Sequence, residues 1–159
     1  MILKTLIACY SYSGNTYKVA SDLKKKLHAD FTRIETQSDT NYLFKSINAL
    51  LKKKTPIKPC SVDMKNYDTI VICSPVWAGR APPAINEYIS KLKNTGGKKF
   101  GVLVTYGSSG NRKTVGQIRS ALEKEQMYFI DSMSVRQKEI GRGDYATRID
   151  EYALSIARG

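Results

Sequence analysis

Acidic side chains are few in this chain beside its basic ones. Fourteen Asp and Glu stand against 26 Lys and Arg in 159 residues, a formal net charge of +12. The lysine runs at Lys24 to Lys26 and Lys52 to Lys54, and basic residues elsewhere, spread that charge over the whole chain. It therefore belongs to the surface of the fold and not to a detachable tail. Such a surface attracts anionic partners, whether nucleic acid, membrane or acidic protein, or it simply solvates the helices. No apolar run approaches the roughly 18 residues of a membrane span. The apolar N-terminal stretch is too short for a signal peptide, so a cytoplasmic protein is expected. Cysteine is sparse and scattered: Cys9 and Cys73 lie in apolar runs and Cys60 stands alone. That spacing excludes a disulfide framework or a cluster site and fits a reducing compartment. The one histidine, His28, closes a helical stretch, where a cation suits the dipole, and no metal site is expected.

What is present is globular: 42% hydrophobic and 25% charged residues, in a length that suits one domain over 1–159. Apolar strand-like runs and helical patterns alternate along the chain. After the first run, Thr16, Ala20, Leu23 and Leu27 share a face of a helix expected from about Gly14 to His28. Phe31–Thr36 alternates with period two and reads as a short edge strand. Leu43, Ile47, Leu50 and Leu51 mark a helix over Asn41–Lys54, stopped by Pro56 and Pro59. Tyr67–Ser74 has the continuous β-branched core of a strand buried on both faces. A helix opens near Pro83 and carries Ile85, Ile89 and Leu92. Strand Phe100–Thr105 leads to a helix with Val115, Ile118 and Leu122 inward. Strand Tyr128–Val135 follows, and Asp144 is placed to cap a last helix bearing Ile149, Tyr152, Ala153 and Ile156. The alternation predicts an α/β fold, a doubly wound five-stranded parallel sheet with helices on both faces.

Three strand exits are rich in Gly, Ser and aromatic residues: the turns near Ser11, Trp77 and Tyr106. In an open parallel sheet these carboxyl ends line the ligand crevice, so the three turns are expected to converge. The first, Ser11-Tyr12-Ser13-Gly14-Asn15-Thr16, puts hydroxyls and one glycine at a helix N-terminus, where unpaired amides and the dipole favour an anion. Taken alone it fits equally an ordinary helix start with Ser13 as N-cap.

Other uses of this architecture fail on residues. A receiver domain needs acids clustered at strand ends, but the first and third strands end in Cys9-Tyr10 and Cys73-Ser74. A Cys-x5-Arg phosphatase loop is absent: Asn15 and Gly79 occupy the arginine positions, with Arg80 one place late. No Gly-x4-Gly-Lys-Ser/Thr loop exists for a nucleoside triphosphatase, and no nucleic-acid recognition motif accompanies the charge.

The turn Ser11–Thr16 resembles the phosphate-binding turn of the flavodoxin family, hydroxyl-x-hydroxyl-Gly-Asn-Thr. Ser74-Pro75-Val76-Trp77-Ala78-Gly79-Arg80 resembles the second, flavin-flanking loop of flavodoxin-like proteins, and Thr105–Gly110 stands where the third loop lies. The resemblance covers essentially the whole chain and implies strand order 2-1-3-4-5 and FMN as cofactor. It implies that Ser11, Ser13 and Thr16, with the amides from Tyr12 through Thr16 (Gly14 and Asn15 included), bind phosphate. It implies Trp77 stacked on the ring, flanked by Pro75, Val76, Ala78 and Gly79, with the Ala78–Gly79 peptide answering reduction. Tyr106, Gly107, Ser108 and Gly110 would border the flavin from the third loop. The implied role is electron carriage, FMN cycling between oxidised, semiquinone and hydroquinone states, for a redox partner protein. The alternative is an FMN-dependent NAD(P)H reductase acting on a quinone or similar acceptor, although Gly107-Ser108-Ser109-Gly110 is no dinucleotide fingerprint. Two departures stand out. Carrier flavodoxins are usually acidic, whereas the basic surface here suits an acidic partner. The insertion that splits the fifth strand of long-chain flavodoxins is also missing.

Overall fold

The computed structural model describes residues 3–37 and 54–159. The helix expected over Asn41–Lys54 lies almost wholly outside the described residues. Five strands form one parallel sheet: β1 (Thr5–Cys9), β2 (Asp30–Arg33), β3 (Thr69–Pro75), β4 (Lys99–Tyr106) and β5 (Tyr128–Arg136). Their spatial order is β2-β1-β3-β4-β5, as the resemblance implied. Among the described residues five helices flank them: α1 (Asn15–Leu27), α2 (Pro83–Lys91), α3 (Asn111–Lys124), α4 (Gln137–Arg142) and α5 (Ala146–Arg158).

The strands alternate between two cores because successive side chains point to opposite faces. Leu6, Ala8, Ile70, Ile72, Phe100, Val102 and Val104 pack with α2 and α3 through Ile85, Tyr88, Ile118 and Leu122. Ile7, Cys9, Val71, Cys73, Leu103 and Val135 pack with α1 and α5 through Val19, Leu23, Ile149, Tyr152 and Ile156. Burial on both faces explains why β3 reads as an unbroken apolar run. Cys9 and Cys73 are register neighbours on β1 and β3, and both are free thiols. Burial pushes the Cys9 thiol up to about 12, against a smaller opposing pull from Arg33, so it stays protonated.

Three local expectations change. Phe31–Thr36 shortens to a strand ending at Arg33, and Thr36 instead forms an isolated antiparallel bridge with Ile57. The N-cap of α5 is Tyr145, not Asp144, whose amide donates to the Glu139 carbonyl at 3.1 Å and so belongs to the end of α4. Helix α4 itself was not expected. It is only six residues long, and it starts where the Glu139 carboxylate accepts the Arg136 amide at 2.7 Å. His28 does close α1, in a left-handed conformation (φ 48°).

Close approach of α5 to the sheet rests on one glycine. A Cβ on Gly101 would lie 2.4 Å from Ile156 Cδ1 and 2.6 Å from the Tyr152 hydroxyl, which donates to the buried Val102 carbonyl. The β4–β5 register also shifts between Phe100 and Gly101. Gly101→Ala should destabilise the fold by about 1–3 kcal/mol through overpacking. Chemical denaturation would read this as a lowered midpoint, and an unchanged midpoint would show that α5 gives way freely.

Candidate functional site

The ends of β1, β3 and β4 bring the three expected loops to one edge of the sheet, and hydrogen bonds join them. The Tyr10 amide donates to the Cys73 carbonyl at 3.1 Å, and the Val76 amide to the Thr105 carbonyl at 2.9 Å. Between the first and third loops, the Thr16 and Thr105 hydroxyls lie 2.7 Å apart in a buried hydrogen bond. The parallel register sets these meetings: Cys9 pairs with Cys73, and Pro75 with Thr105.

In the first loop the Ser11 hydroxyl accepts the Gly14 amide at 3.2 Å and the Tyr17 amide at 3.1 Å. Ser11 therefore builds the turn, while its own O–H remains able to donate. Gly14, at φ 95°, is the N-cap of α1, so Ser13 does not take that role, and the side chain that reaches the first-turn amides is that of Ser11. Ser13 is exposed. The Tyr17 and Lys18 amides of the first helical turn go to Ser11 Oγ and the Gly14 carbonyl. Those of Asn15 and Thr16 have no acceptor within the helix, as at any helix start. Thr16 is buried, 1% exposed, and its hydroxyl shares a hydrogen bond with that of Thr105 in which either oxygen can be the donor.

The second loop closes into a tight turn, with Trp77 and Arg80 exchanging both amide-to-carbonyl bonds at 2.9 Å. Its central residues, Ala78 (φ 49°) and Gly79 (φ 71°), are both left-handed, as in a type I′ turn. For Ala78 that conformation costs about 1–2 kcal/mol, which the surrounding contacts must offset. Trp77 is half-buried, met edge-on by Tyr10 at 5.6 Å and by Tyr12 at 6.1 Å between ring centroids. Tyr10 is buried, and burial lifts its hydroxyl to about 12, keeping the ring neutral beside the indole. Sequence reasoning passed over Tyr10, although an aromatic at the very end of an apolar strand was the available signal.

The third loop touches the second through glycines. A Cβ on Gly110 (φ 91°) would lie 2.8 Å from Gly79 Cα and 3.0 Å from Val76 Cγ1. Gly107 and Ser108 are exposed at the tip. Tyr106 is half-buried, and its hydroxyl accepts the Arg136 Nε–H at 3.1 Å while the guanidinium lies 5.6 Å from its ring centre. Arg136 was a second omission, since nothing in the β5 pattern separates it from a solvated strand end. Above Gly14 and Gly79 the space is open: an added Cβ at either would meet nothing within 4 Å. The edge thus offers amides and hydroxyls on one side, an indole on the other, and no carboxylate in any of the three loops.

A family model described as Flavodoxin matches residues 4–133. The chain belongs to the flavodoxin family. Solved structures share the fold at low identity. A flavoprotein from Lactobacillus acidophilus NCFM, in complex with FMN, is 23% identical with a TM-score of 0.74, over 88% of this chain and 97% of that one. A putative flavoprotein from Bacteroides uniformis reaches a TM-score of 0.77 at 17% identity, covering 96% of this chain and 98% of the other. Oxidised Flavodoxin 2 from Bacillus cereus gives 0.66 at 18% identity, with 98% of each chain covered. No curated protein matches in sequence.

The hydroxyl pair yields a test specific to this flavodoxin. Thr16→Val keeps the shape but strands the buried Thr105 hydroxyl, which should cost about 1–3 kcal/mol. Adding Thr105→Val removes both polar partners, and most of that loss should return. Denaturation of the two variants checks this, and equal losses that simply add would mean the hydroxyls are not coupled.

Proposed function

We propose that this flavodoxin binds FMN at the three-loop edge and works as an electron carrier. The observation that carries the reading is the convergence of the turns. An acid-free helix N-terminus with open space over Gly14, a half-buried indole at Trp77 and open space over Gly79 lie along one sheet edge. These residues fit the cofactor's two ends. Ser11, Ser13 and the Asn15 and Thr16 amides offer donors to a phosphate, and the helix dipole favours its charge. Trp77 offers a flat apolar ring to the isoalloxazine, with Tyr10 and Tyr12 in T-shaped contact beside it. When bound, FMN supplies the electron chemistry, and the protein supplies orientation and electrostatics. The absence of a second dinucleotide fingerprint in the sequence favours a carrier over a nicotinamide-dependent reductase.

Titration with FMN should give a yellow one-to-one complex and strongly quench emission from the single tryptophan. Riboflavin, which lacks the phosphate, should bind at least about tenfold more weakly, the loss of a charge-assisted hydrogen bond alone being about 1.5–3 kcal/mol. Equal affinities would remove the anion site from the assignment, and unchanged emission at saturation would separate Trp77 from the flavin. Mixing the FMN-loaded protein with NAD(P)H alone should leave the flavin oxidised. Rapid bleaching would make it a reductase instead.

A further inference from the structure

Charge on this molecule is sorted by sheet edge. The stretches that carry the three loops, residues 5–21, 69–86 and 99–122, contain no Asp or Glu. Glu139, the first carboxylate after β5, is already engaged by Arg148 Nη2 at 2.8 Å and by the Arg136 amide. Carboxylates gather at the opposite, amino edge instead: Asp30 opens β2, Asp68 precedes β3, and Glu125 follows α3. There Lys4 pairs with Asp30 at 3.1 Å. Glu35, past the end of β2, is taken by Lys58 at 3.2 Å and Arg33 at 4.0 Å, but the cations bordering the three loops have no such neutralisation. Arg80 closes the tryptophan turn, and Arg112 and Lys113 occupy the first turn of α3, just past the third loop. All three are exposed, and among the described residues none has an ion-pair or hydrogen-bond partner for its side chain.

The placement of Arg112 and Lys113 is also locally unfavourable. Cations at a helix N-terminus face the positive end of the dipole, and α3 carries no acidic residue in its first turn to offset them. A local rule broken without compensation in the fold points to a role outside it. We propose that Arg80, Arg112 and Lys113 form the docking rim for an acidic electron-transfer protein, which they hold against the exposed side of the three-loop edge. The proposal rests on the carrier reading of that edge. Charge complementarity identifies the occupant. Salt screens charges beyond about 8 Å, so the residues bordering the loops act on a docked partner and the remaining surface lysines do not. Such a rim raises the association rate and fixes orientation more than it tightens the complex.

The test uses FMN-loaded protein and, as probe, a reduced acidic plant-type [2Fe–2S] ferredoxin. Each encounter moves one electron from the reduced cluster to the oxidised flavin, followed at both chromophores by stopped flow. The second-order rate constant should fall about tenfold or more between roughly 50 mM and 500 mM salt. R80E/R112E/K113E should be slower at low salt by about the same factor and should lose the salt dependence. K25E/K65E/K124E has the same net charge but changes exposed lysines at the amino edge, and it should stay within about twofold of the parent. Equal slowing of both variants would reduce the effect to net charge and overturn the rim. So would a salt-independent parent rate, or rapid NADPH bleaching that only the rim variant loses. Visible spectra recorded first keep the two readings apart. A parent that takes up no FMN refutes the carrier, and ferredoxin binding by the same three proteins, measured by calorimetry, then decides the rim alone.

Discussion

A parallel sheet with both faces covered leaves its strands only one place to meet a ligand: the carboxyl edge, where the chain leaves the sheet for the next helix. In this flavodoxin the alternation of Leu6 and Ala8 against Ile7 and Cys9, and of Ile70 and Ile72 against Val71 and Cys73, commits each strand to two apolar cores at once. That commitment fixes register, because a slip of one residue would exchange the cores. Register in turn fixes which loop residues face one another. Cys9 beside Cys73 and Pro75 beside Thr105 set the separations across which Trp77, Ser11 and Gly110 act. Chemistry at the edge is thus a consequence of packing well below it.

The elements legible in the sequence are those whose pattern comes from burial on a long, regular segment. The run Ile70–Cys73 and the α5 stripe Ile149, Tyr152, Ala153 and Ile156 could be read directly, because each records the face it buries. Helix α4 could not, since six residues carry less than two turns of period and its start depends on one carboxylate, Glu139. Asp144 looked like a cap because its residue type is favoured there, yet its amide had already been claimed by the preceding helix. At the site, the residue types of all three loops were legible and their convergence followed from the topology. The direction of a side chain was not. Thr16 turns its hydroxyl inward because Thr105 waits on the neighbouring strand, a partner 89 positions away. Tyr10 and Arg136 owe their places to Trp77 and Tyr106 in the same way.

Polarity at the edge follows a division of labour between side chains and backbone. Ser11 accepts two amides of its own turn, and the Thr16 hydroxyl is tied to Thr105 on the sheet. What remains for a ligand's anionic end is mostly backbone amide, which cannot titrate. Beside it, the phenol of Tyr10 and the thiol of Cys9 are held protonated by burial. Neither of these two groups adds a charge to the edge across the ordinary pH range.

The contact between Gly110 and the second loop runs one way: a side chain at 110 would strike the Cα of Gly79 and the side chain of Val76, whereas one at 79 would meet open space. The same contact ties the two positions together in descent. A residue larger than glycine at 110 is admissible only in a lineage whose second loop has already withdrawn, so the loops must drift in concert or not at all.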